Sequence, residues 1–189
     1  SYCGGKQKAM GEAITERDSL PVMTTLGVTT LISDSGVTRY RVNTEEWMMY
    51  DRKKPSYWAF EKGVYMEQFD SIFNVEASIK ADTAYYYDKE RLWKLIGNVD
   101  IQNRKGERFN TELLYWNEAT QKVYSDKFIR IQQPDRIITG HGFDSNQQMT
   151  IYTIRNIEGI FYVDEEASSG PPQPETKALP DSVNKDTAK

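Results

Sequence analysis

The segment "LWKLIGNVDIQNRKGERFNTELLYW" (Leu92 to Trp116) alternates apolar and polar residues in steps of two, breaks at "NRKG", and alternates again. A period of two sends successive side chains to opposite faces of an extended chain, so each run has one greasy face and one wet face. A helix would need apolar residues three and four apart, and the segment lacks them. The same grammar returns in "KVYSDKFIRIQQPDRIITG" and in "FNVEASIKADTAYYYD". In the latter, Phe73, Val75, Ala77 and Ile79 are expected on one face, with Asn74, Glu76, Ser78 and Lys80 on the other.

Turn signals come at nearly even intervals: "DKER" from Asp88, "NRKG" from Asn103, "NEAT" from Asn117, "QPD" from Gln133, "GHG" at Gly140 and "NIEG" from Asn156. Strands separated by such short breaks form an antiparallel meander. Asp34-Ser35-Gly36 reads as a further hairpin turn, and Pro55 in "DRKKPS" reads as a loop or edge. Displaced by about 30 residues, the chain aligns Val99 with Ile129 and Ile101 with Ile131, as a repeated two-strand unit would. Four of the seven prolines fall after Asp164, where large apolar residues nearly vanish. Residues 1–20 are read as a flexible tether, 21–164 as one β domain, and 165–189 as a disordered Pro-rich tail.

Composition narrows the function classes. A net charge of -4 leaves no basic excess to attract nucleic acid or anionic lipid surfaces. A single cysteine, Cys3, excludes a disulfide framework within the chain. Cys3 reads either as a lipid-modified anchor, with Gly4, Gly5 and Lys6 opening the tether, or as an ordinary free thiol. Tyr2 fits poorly the small residue usual before a lipidated cysteine.

Motifs for catalysis are scarce. The one histidine, His141, has no second histidine, cysteine pair or spaced acidic loop to share a metal with, and reads as a turn residue between two glycines. No nucleophile elbow and no phosphate-cradling glycine loop occur, so no catalytic residue, metal or cofactor is assigned. Glu112 and Asp126, near Tyr115 and Trp116, are the pair to consider for glycoside cleavage, although such carboxylates more often line the solvated face of a sheet. In "YYY", Tyr85 and Tyr87 are expected on one face and Tyr86 on the other, which suits cross-strand packing better than a stacking platform.

The phrases "LISDSGVTRYRV", "ADTAYYYDKERLWKLIGNVDIQN", "GERFNTELLYWN", "VYSDKFIRI" and "ITGHGFDSN" resemble the LptC family of lipopolysaccharide-export proteins, over about Val22 to Val163. The resemblance implies an all-β fold: a twisted, half-open antiparallel β-jellyroll with two sheets in a V. It implies a non-enzymatic carrier in the periplasm, attached to the inner membrane. Such a carrier takes lipopolysaccharide from the periplasmic domains of an ABC transporter and passes it to an LptA-like bridge protein. The family's N-terminal membrane helix has no counterpart in these residues, which leaves the tether to a removed segment or to Cys3.

A trough for acyl chains would be lined by the inward residues of the alternation: Phe73, Val75, Ile79, Trp93, Leu95, Val99, Ile101, Phe109, Leu113, Ile129, Ile131 and Ile151. The alternation fits a filled core equally well. Head-to-tail stacking is implied too, with one partner edge around Val37, Tyr40 and Val42 and the other around Met149, Ile151 and Ile154. A freely soluble LptA-like bridge and a carbohydrate-binding or carbohydrate-cleaving β domain are the alternatives.

Overall fold

The computed structural model describes residues 20–34 and 37–163. Cys3, nearly all of the expected tether, Ser35 and Gly36 of the expected hairpin turn, and the Pro-rich tail lie outside the described residues. Within them the chain is all-β: β1 (Met23–Asp34), β2 (Val37–Tyr50), β3 (Tyr57–Phe60), β4 (Val64–Phe69), β5 (Val75–Ala81), β6 (Thr83–Tyr87), β7 (Leu92–Asn103), β8 (Arg108–Asn117), β9 (Lys122–Gln132), β10 (Arg136–Asn146) and β11 (Tyr152–Tyr162). Every pairing among them is antiparallel.

Two long strands set the architecture. β2 pairs with β4 through Tyr40–Thr44 and with β3 through Met48–Tyr50, on the side opposite β1. β7 pairs with β5 through Asp100–Asn103 and with β6 through Leu92–Ile96, on the side opposite β8. Because β4 joins β5 and β3 joins β6, the ladder divides into two layers between β2 and β7. The long strands β7 to β10 run from one layer into the other. This is the jellyroll-like V expected from the resemblance.

The spine of the V is written in backbone irregularities. Register shifts fall between Ile96 and Val99, between Thr111 and Tyr115, and between His141 and Phe143, so they cross neighbouring strands as one line. Gly97 (φ 81), Asn98 (φ 46) and Gly142 (φ 81) take left-handed conformations there, and bulges of this kind bend a strand and sharpen its twist. The β5–β6 corner seats on the bend, with the Asp82 backbone amide donating to the Gly97 carbonyl at 2.9 Å and the Asn98 side-chain amide donating to the Asp82 carboxylate at 2.8 Å. On β2, the Thr44 hydroxyl donates to the Gly63 carbonyl of the β3–β4 corner at 2.8 Å.

Most expected turns stand. Asn103 and Asn117 organise theirs by accepting later backbone amides, Lys105 and Glu107 on the first and Thr120 on the second. Two expectations are overturned. "GHG" lies inside β10 and "NIEG" inside β11, because their glycines serve bulges rather than chain reversals. The reversal between those strands is instead built by Asn146, whose side-chain oxygen accepts the amides of Thr150 at 2.9 Å and Ile151 at 3.1 Å.

Candidate lipid-binding interior and partner edges

Following register partners strand by strand across one layer gives Thr30, Val42, Met66, Ile79, Ile101, Phe109, Ile131, Ile138 and Ile160. Directly opposed residues share a face, so these side chains form one transverse row from β1 to β11. With strands 4.7–4.9 Å apart, the row has a contour of roughly 40 Å. The other layer contributes a second row: Trp58, Tyr86, Trp93, Trp116, Val123, Ser145 and Tyr152.

The two rows face one another and interlock. Tyr40 meets Trp116 edge-on at 5.4 Å between ring centres, Phe109 meets Tyr152 edge-on at 5.0 Å, and Phe109 lies 5.7 Å from Phe143. Of the expected lining, Ile79, Trp93, Leu95, Val99, Ile101, Phe109, Ile129 and Ile131 all join this core and are buried. The interior is therefore packed by its own side chains.

Four expected positions do not join it. Phe73 has φ 68 in the β4–β5 turn, where the Asp70 carboxylate accepts the amides of Ile72 and Asn74, and its ring stacks on Phe69 outside the core. Val75 begins β5 and is exposed, as the strand settles into register only past a shift at Gln68/Phe69. Ile151 belongs to the Asn146 turn and is 76% exposed. Leu113 is displaced by the irregularity in the β8–β9 pairing, so that Leu114 takes the inward place. The alternation of two cannot report where it slips.

The core also holds residues outside that expected lining, among them Tyr40, Phe60, Met66, Tyr86, Trp116, Phe143 and Met149. Trp116 carried a signal, since it stands two residues from Leu114 on its strand. Met149 carried none.

Polar bonds cross the margin opposite the spine. Glu118, in the β8–β9 turn, accepts from the Tyr40 hydroxyl at 2.8 Å, the Trp93 indole at 3.0 Å and the Tyr86 hydroxyl at 3.1 Å. Tyr40 belongs to one layer and the other two donors to the second. Burial, then the Glu118 carboxylate, holds the Tyr40 and Tyr86 hydroxyls well above the usual phenol range. Farther along, the Asn103 side-chain amide donates to the Met149 carbonyl at 2.8 Å. Tyr152 donates to Glu107, and burial followed by that bond pushes its hydroxyl up to about 12. A cavity of about 440 Å³ opens beside Glu118, with Tyr40, Trp58, Tyr86 and Trp116 in its wall and the rest of its lining mainly polar and charged, Arg39, Asp70, Glu76 and Arg91 included.

The edges differ from expectation. Tyr40 and Val42 lie on β2, an inner strand bonded on both sides, and their side chains are buried; the free edge at this end is β1. Val37 opens β2 opposite Asp34, and its side chain is outside the described residues. At the far end the edge is β11, which among the described residues pairs only with β10. Ile154 belongs to it, Ile151 does not, and Met149 is buried. Along the transverse row exposure climbs from Ile131 (0%) through Ile138 (8%) to Ile160 (42%), so the apolar face comes into the open at that edge.

Other candidates for chemistry are engaged separately. Glu112 accepts the Asn98 amide, whereas Asp126 pairs with Arg155 at 2.8 Å. His141 sits on an exposed strand face against Glu158 and Phe128. As expected, Tyr86 points into the core while Tyr85 and Tyr87 flank Tyr57 on the outside. Among the described residues no cluster fit to hold a metal occurs, and no helix is long and apolar enough to cross a membrane.

A comparison with curated proteins returns no match. The family described as lipopolysaccharide-assembly, LptC-related, matches residues 17–160, which takes in β1 to β10 and nearly all of β11. This chain, with its bent two-layer sheet and transverse row of mostly apolar residues, belongs to the LptC-related family of lipopolysaccharide-assembly proteins.

Proposed function

We propose that the domain is a non-enzymatic carrier that takes lipopolysaccharide from the inner-membrane ABC transporter, shelters its acyl chains between the two layers, and hands it to an LptA-like bridge in the periplasm. The observation that carries this reading is the transverse row, which is apolar on every strand but the first and is most exposed at the β11 edge. Each acyl CH2 kept from water is worth about 0.8 kcal/mol, so exposing a chain of a dozen carbons would cost roughly 10 kcal/mol. Moving that chain from a bilayer to an apolar seam exchanges one hydrocarbon-like medium for another. Such a step is near neutral and asks for no bond making; direction comes from the transporter's ATP hydrolysis.

The edges β1 and β11 suit strand addition, since among the described residues each offers a row of backbone donors and acceptors with no partner strand. In this reading β1 meets the transporter's periplasmic domains and β11 meets the bridge. The seam then continues from one protein into the next.

Titration of the purified chain with lipopolysaccharide and with the matching acyl-free oligosaccharide tests the reading. Saturable binding of the acylated molecule alone is expected. Equal binding of the oligosaccharide would favour a carbohydrate-binding domain instead.

A further inference from the structure

The seam is full. Ile131, Trp93, Leu95 and Phe109 are 0% exposed, and interiors packed to this degree have no gap for a hydrocarbon chain. A guest therefore joins the row only where the two layers part, and the layers are free to part only along the margin opposite the spine.

Two groups of bonds hold that margin shut. The first is Glu118, which ties Tyr40 to Trp93 and Tyr86 across the layers, beside the cavity of about 440 Å³. The second is the β10–β11 turn. Here Met149 takes φ 59, a left-handed conformation that few residues other than glycine adopt. Its carbonyl is held by Asn103 from the opposite layer, and its side chain is 1% exposed within the core. An unbranched, conformationally adaptable thioether inserted from a surface turn fills the space a short stretch of alkyl chain would fill.

Resting on the carrier reading, we propose that the cavity beside Glu118 is the portal for an acyl chain, and that the β10–β11 turn is its gate, with Met149 as a resident plug that the entering chain displaces. Asn103 is the bolt. It is bonded both to the Met149 carbonyl and to Glu107 at its own turn, and the Tyr152–Glu107 bond at the start of β11 is the second cross-layer bond beside the gate. Gln147 and Gln148 connect the two features, because they line the cavity and immediately precede the plug.

The test follows uptake of lipopolysaccharide lacking O-antigen by stopped-flow tryptophan fluorescence, with Trp93 and Trp116 as reporters. Asn103→Asp removes the donor to the Met149 carbonyl while keeping the side-chain oxygen that accepts the Lys105 and Glu107 amides, and Met149→Gly removes the plug while tolerating its backbone conformation; each is expected to accelerate uptake about tenfold. Arg41→Gln, which breaks the outer-face ion pair with Glu67 (2.8 Å), controls for general loss of stability and is expected to leave the rate unchanged. In the unmodified protein, bound lipopolysaccharide should speed hydrogen exchange at the Thr150 and Ile151 amides that Asn146 accepts. Unaltered rates in both folded variants, with unaltered exchange at that turn, would overturn the gate. Absence of any lipid response in every protein would overturn the carrier reading itself.

Discussion

Tyr40 and Glu118 stand 78 positions apart in sequence, and the hydroxyl of one donates to the carboxylate of the other at 2.8 Å. The bond joins the two layers at the margin where nothing covalent does. Glu118→Ala would leave Tyr40, Tyr86 and the Trp93 indole without their acceptor, at about 1–3 kcal/mol for each buried donor. A loss of about 3 kcal/mol or more is expected in urea unfolding, against about 1 kcal/mol for Tyr40→Phe, which removes one bond and keeps the ring.

The same cluster makes stability depend on alkaline pH. Folding raises the pKa of Tyr40, Tyr86 and Tyr152, so the native state holds these protons more tightly than the unfolded chain does. Their contribution is complete below about pH 10, the unfolded phenol value, and is lost as pH climbs toward the folded values, about 12 for Tyr152. Urea midpoints measured from about pH 8 to pH 11.5 should fall above about pH 10, and less steeply in Tyr40→Phe. A flat profile would show that these hydroxyls are not held as described.

Gly140 makes room for the last strand. A Cβ there would meet the Asn156 carbonyl oxygen and come within 2.6 Å of Ile154 Cγ2 on β11. Gly140→Ala is expected to cost about 1–3 kcal/mol and to loosen β11 in particular. Hydrogen exchange would register faster opening along β11 with β7 unchanged.

Truncation of the seam distinguishes a packed interior from one already open. Ile131→Ala is expected to cost about 2–5 kcal/mol, the range for buried aliphatic residues whose neighbours collapse only in part. A cost below about 1 kcal/mol would mean that the site is open before any guest arrives.

The β11 edge carries the interaction forecast. Ile160→Asp places a charge where the apolar row leaves the domain. It should weaken binding to an LptA-like bridge about tenfold or more in calorimetry, with little loss of stability. The reciprocal substitution Leu31→Asp on β1, at the opposite end, should leave that affinity unchanged.

The strands and most turns were legible because each rests on a local rule. A period of two reads as a strand, and Asn103 and Asn117 announce chain reversal. The Asn146 turn escaped because "NQQMT" holds neither glycine nor proline, and its hydrogen bonds come from one asparagine side chain. "GHG" misled in the opposite sense, since glycine serves a bulge as readily as a turn. Leu113 and Leu114 exchanged roles for the same reason: a register slip moves the inward face by one residue without changing composition. Nothing local announces Glu118, whose donors come from three other strands, or Met149, whose place is fixed by Asn103 on a strand 46 positions away.

The most direct measurement is photocrosslinking to lipopolysaccharide in cells, from a photoreactive side chain placed at Trp93, Ile131 or Ile160 on the apolar rows, or at outward-facing Lys80. Adducts from the row positions and none from Lys80 are expected. Equal labelling from Lys80, or no adduct from the rows while transport proceeds, would contradict passage of lipid between the layers.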